Sequence, residues 1–93
     1  MPENSADGEQ ELLRFPCDFP IKVMGRAEPG FEGQVVEIVR RHAPGLGEGA
    51  VSVRESSGGR YLAVTLTIRA ESRAQLDAIY RDLTAHPKVL MSL

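Results

Sequence analysis

The chain has no tryptophan and only five aromatic residues, three Phe and two Tyr. An RNA-binding sheet of the stacking kind sets aromatic rings on the open face of its central strands. Here only Tyr61 stands near such a position, and Thr65 and Thr67 follow it. A single cysteine, Cys17, excludes an internal disulfide. It also excludes the paired soft ligands of a Cys-x-x-Cys metal carrier, and neither a metal nor another cofactor is expected. No stretch of about 18 apolar residues is present, so no membrane-spanning helix is expected. The opening MPENSADGEQE lacks the basic start and apolar centre of an export signal. A cytoplasmic location is the expectation. Basic residues are not in excess either: 11 Lys and Arg stand against 13 Asp and Glu, a net charge of −2. A nucleic-acid footprint needs a basic surface, so nucleic acid is not an expected partner.

What charge there is divides unevenly. Residues 1–14 carry four acids (Glu3, Asp7, Glu9, Glu11) and one base (Arg14), while residues 15–93 carry nine acids and ten bases. The polar, acidic 1–14 stretch reads as a disordered tail. Residues 15–93 read as one domain, large enough for a single modest core.

Within that domain Phe15 and Phe19 alternate with Pro16 and Pro20, which predicts an extended segment that is not fully paired. Ile21 to Gly25 alternates as a strand covered on one side, with Lys22 and Met24 outward. Phe31, Val35, Ile38, Val39 and His42 then form one helical stripe, ended by Pro44-Gly45. The Gly45–Gly49 run reads as a mobile connection. Val51 and Val53 mark a second strand, Ser56 to Gly59 a turn, and Tyr61 to Arg69 the most regular strand of the chain. Ser72-Arg73-Ala74-Gln75 is a capping box for a second helix with the stripe Leu76, Ile79, Tyr80 and Leu83. His86-Pro87 ends it. In the last strand Val89, Met91 and Leu93 alternate with Leu90 and Ser92.

The order β-α-β-β-α-β, with right-handed crossovers, leads to an α+β sandwich. Four antiparallel strands in the order 4-1-3-2 make one sheet, and both helices lie on one face, the ferredoxin-like arrangement. The other face is expected to present Lys22, Met24, Thr65, Thr67 and Leu90, a surface for a protein partner or a homodimer.

The chemistry-bearing residues form no catalytic constellation. His42 closes a helix with nothing nearby in sequence to orient it. Cys17 has Asp18 beside it rather than a base or a positive charge, and reads as a small apolar residue. Gly25-Arg26 stands where an acylphosphatase-like loop would hold an anion, but the rest of that loop is missing and Glu28 would repel the anion. The stretch Gly25 to Gly30 is the one place that suggests a ligand. Glu28-Pro29-Gly30 resembles the opening of ACT-type ligand-sensing domains, and free N–H groups at a helix start suit a carboxylate. Gly25, Arg26, Glu28 and Gly30 are therefore the candidate ligand residues, for a small-molecule effector.

FPCDFPIKVMG, QVVEIVRRHAPG, SSGGRYLAVTLTI, AESRAQLDAIYRDL and KVLMSL occur in order across residues 15–93. In these pieces the chain resembles the YbeD family of small bacterial proteins of uncharacterised function. The resemblance implies a ferredoxin-like fold related to ACT domains. In some family members it comes with a lipoate-regulatory label. It carries no catalytic motif over. The expectation is a non-enzymatic regulatory or protein-interaction module. Two alternatives are a small enzyme acting on an anionic substrate at Gly25–Gly30 and a weak RNA-binding domain.

Overall fold

The computed structural model describes residues 13–93. Its elements are β1 (Cys17–Arg26), α1 (Phe31–His42), a 3-10 turn (Glu48–Ala50), β2 (Val51–Glu55), β3 (Tyr61–Ala70), α2 (Arg73–Ala85) and β4 (Val89–Ser92). The strands form one sheet in the order β2-β3-β1-β4, every pair antiparallel. This is the expected ferredoxin-like arrangement. Among the described residues no helix is long and apolar enough to cross a membrane.

Alternation sorts the sheet into two faces. Ile21, Val23, Val64, Leu66, Ile68 and Ala70 are buried on the helix side. Against them α1 sets Phe31, Val35, Ile38 and Val39, and α2 sets Leu76, Ile79 and Leu83. Both helical stripes are those the 3.6-residue period picks out. Among the described residues no charged or polar residue belongs to this core. One buried polar atom among the described residues, Gln34 Oε1 on α1, has no hydrogen-bond partner.

β1 is longer than the Ile21–Gly25 segment expected. It begins at Cys17, and Cys17 to Arg26 pair residue by residue with Ala70 to Tyr61. Pro20 is accommodated for a geometric reason. Lys22 exchanges both backbone hydrogen bonds with Leu93, at 3.0 and 2.8 Å, so its N–H and C=O point away from β3. Pro20 lies two residues before Lys22 and faces the same way, beyond the paired part of β4, which ends its ladder at Val23 and Lys22. Its missing N–H therefore removes no ladder bond.

β4 departs from strict alternation. Met24 pairs with Met91 but Gly25 pairs with Val89, so Leu90 is an extra residue in a β-bulge. Val89 faces the core, while Met91 and Leu93 stand across from Met24 and Lys22 on the open face.

The connection after α1 is tied to the core at Leu46 rather than hanging free of it. Leu46 is buried in the core, and its carbonyl accepts a hydrogen bond from Arg40 Nε at 3.1 Å. In the hairpin, Gly58 and Gly59 have φ of 90° and 72°, the left-handed region that favours glycine. Ser56 Oγ closes that turn by accepting from Tyr61 N.

Candidate functional site

The Gly25–Gly30 stretch is built by three different demands. Gly25 lies on the core face opposite Leu62, and a Cβ there would meet Phe31 Cζ at 2.3 Å and the Lys88 carbonyl oxygen at 2.6 Å. The position is glycine because the Phe31 ring crosses it. Gly30 takes φ 87° as the N-cap of α1 and supplies no side-chain cap. Arg26 and Glu28 do come together, in a surface depression of about 470 Å³ shared with Arg60 and Tyr61. Glu28 Oε1 also meets Lys88 Nζ at 3.1 Å, which offsets the charge that would repel an anion. The structure thus groups Arg26 with Glu28, while Gly25 and Gly30 act in packing and backbone geometry.

A second cleft, of about 530 Å³, opens at the opposite end of the sheet, beside the loop that follows α1. His42, Gln75, Thr67 and the Asp18–Arg69 pair line it. His42 Nε2 donates to Asp82 Oδ2 at 2.7 Å, a contact across α1 and α2 between residues 40 apart in sequence. That bond, with Arg41 and Arg81 nearby, holds the Asp82 carboxyl below its ordinary range. Gln75 joins the same seam. Its backbone N–H donates to Ser72 Oγ, its Nε2 donates to the His42 carbonyl at 2.8 Å, and its Oε1 accepts from Glu71 N at 2.6 Å. The capping box is therefore present in a bent form, with Gln75 reaching one residue further back than the usual partner. These groups are occupied in joining the helices. Asp18 and Arg69, 3.4 Å apart and exposed, make a weak ion pair. His86 Nδ1 accepts from Lys88 N just after α2. Cys17 is half-buried against the core opposite Ala70. Among the described residues no three His, Cys, Asp or Glu side chains gather as a metal site.

The open sheet face is the remaining candidate. β1 presents Asp18, Pro20, Lys22, Met24 and Arg26 there, and β3 presents Tyr61, Ala63, Thr65, Thr67 and Arg69 opposite them. β2 adds Ser52 and Arg54, which pair with Thr65 and Ala63. β4 adds Met91 and Leu93. Met24, Met91 and Leu93 are 39%, 50% and 67% exposed. With Lys22 and Ala63 they surround a shallow apolar depression of about 210 Å³. Lys22, Met24, Thr65 and Thr67 thus stand on the expected face. Leu90 is exposed, but the bulge places it outside this depression, and Met91 and Leu93 take the positions next to Met24. Period-2 alternation misses them because nothing in VLMS marks a bulge: it contains neither Gly nor Pro.

Relatives share nearly the whole chain. A UPF0250 protein of Chromobacterium violaceum is 53% identical over 88 residues, covering 95% of this chain and 99% of the relative. UPF0250 protein NE1487 of Nitrosomonas europaea is 47% identical over 85 residues, covering 91% and 98%. A UPF0250 protein of Paraburkholderia phymatum is 50% identical over 84 residues, covering 90% and 94%. The family model described as "Protein of unknown function (DUF493)" matches residues 10–93. With a match of this extent the chain belongs to the DUF493 family, the UPF0250 or YbeD-like proteins.

Proposed function

We propose that this protein is a cytoplasmic, non-enzymatic interaction module of a regulatory kind, which docks another polypeptide on its open sheet face. The observation that carries this reading is the exposed apolar group Met24, Met91 and Leu93 around one depression on an otherwise polar sheet. A contiguous group of exposed apolar side chains is the form that contact surfaces take. Methionine suits the task because its unbranched side chain adapts to different partners. The test is capture of partners from a native cell extract by the wild type and by Met24→Glu/Met91→Glu. Both positions are exposed, so the variant keeps the fold. A partner retained by the wild type and by Leu90→Glu but lost by the double variant is the expected result. The same partners on all three proteins would overturn it.

A second reading rests on the depression that Arg26 and Glu28 share with Arg60 and Tyr61. It is a small-molecule effector site for a carboxylate such as an amino acid or lipoate, with Arg26 as the anchor. Calorimetric titration with amino acids and with lipoate tests it. Heat that disappears in Arg26→Ala supports it, and no heat from any of these ligands removes it.

A further inference from the structure

The open face is basic even though the chain as a whole is acidic. Among the strand side chains, Lys22, Arg26, Arg54 and Arg69 stand on it against the single acidic side chain Asp18, a side-chain charge of +3. Asp18 is already engaged with Arg69. Arg26, Arg54 and Lys22 adjoin the apolar group Met24, Ala63, Met91 and Leu93, with Lys22 directly beside Leu93, while the Arg69–Asp18 pair lies further along the sheet.

We infer that the partner of this face is an acidic polypeptide segment bearing large apolar side chains, a deepening that rests on the interaction-module reading above. Charge selects it over a second copy. A second copy placed face to face would set the same basic side chains against one another, which costs free energy at any useful separation. An acidic segment gains instead, in encounter rate and in register. A single-stranded nucleic acid would share the charge preference but needs a stacking platform. The central pairs here are Met24–Ala63 and Lys22–Thr65, and Tyr61 lies at the margin.

The sequence supplies a probe. Its three methionines are Met1, Met24 and Met91, so carbon-13 labelling of the methionine methyl groups reads the open face through two signals. The full chain is titrated with a short peptide alternating glutamate and leucine, with its lysine–leucine counterpart, and with an oligouridylate. The expected result is that the glutamate–leucine peptide moves the Met24 and Met91 signals and binds more weakly as salt rises. Binding should fall roughly tenfold in Arg26→Glu/Arg54→Glu, two exposed ion pairs reversed. It should hold in Arg41→Glu/Arg73→Glu on the helix side. Equal binding of the lysine–leucine peptide overturns the inference while leaving an apolar interaction face in place. Tighter binding of the oligouridylate overturns it in favour of a nucleic acid. Met24 and Met91 signals that move with protein concentration alone overturn it in favour of a second copy. A Met1 signal that moves in peptide-free Arg26→Glu/Arg54→Glu overturns it in favour of the chain's own acidic N-terminal residues. Silence of Met24 and Met91 toward every probe overturns both the inference and the reading beneath it.

Discussion

Gly25 shows how one residue can look like a ligand contact and serve packing instead. In sequence it ends a strand just before a helix start, where several ferredoxin-like proteins bind anions. In the fold it is the gap that the Phe31 ring fills. Gly25→Ala should therefore destabilise the protein strongly, by about 3 kcal/mol, the upper part of the range for overpacking, because the carbonyl of Lys88 cannot move as a side chain can. Chemical denaturation measures this. The double variant Gly25→Ala/Phe31→Leu should lose less than the two single changes added together, since the smaller side chain vacates the atoms that the new methyl meets. Full additivity would show that the ring does not set the requirement. Gln34 is the opposite case. Its Oε1 is buried without a partner, and an unmet acceptor costs about 1–3 kcal/mol. Gln34→Met, close in shape, should be neutral or stabilising, and a clear drop in Tm would mean that the oxygen has a partner in solution.

At the scale of elements, both helical stripes, the hairpin and the strand order were legible, because each rests on a periodicity that the chain keeps over several residues. The features that escaped are those made between elements. His42 has no partner within its own helix, and Asp82 reaches it only after α2 packs against α1. Leu46 lies in a glycine-rich run that reads as free chain, yet its side chain belongs to the core. Pro20 looks like a strand breaker until the direction of its neighbour's hydrogen bonds is known. The His42–Asp82 contact makes a pH prediction. Asp82 titrates below its ordinary value in the folded state, so its bond stabilises the fold above the unfolded carboxyl pKa, near 4. That stabilisation is lost as pH falls through the folded value. Thermal melts at pH 6 and pH 3 should show wild type above Asp82→Asn at the higher pH, with the gap closing at the lower. A gap that does not change would exclude the carboxylate as its source. The Gln75 links predict a further cost. Gln75→Ala should lose about 1–2 kcal/mol, since two backbone groups, Glu71 N–H and the His42 carbonyl, lose their side-chain partner.

For the molecule as a whole, the two faces of the sheet divide the work. The helix-covered face holds the fold together with an apolar core, and in the cleft beside the α1 loop His42 and Gln75 are engaged in binding the helices to one another. The open face keeps exposed apolar side chains and four bases that packing does not require. Only part of that face was visible beforehand. Lys22, Met24, Thr65 and Thr67 follow from alternation, whereas Met91 and Leu93 depend on the bulge at Leu90 and the placing of Arg54 beside Ala63 depends on the register of β2 and β3. The central claim, that a partner docks on this face, is tested most directly by photo-crosslinking in the native cell. A photoreactive residue replaces Met24 in one protein and Glu37, exposed on α1, in another. The account predicts a discrete adduct with another polypeptide from position 24 and none from position 37. Adducts from neither position, or from position 37 alone, would contradict it.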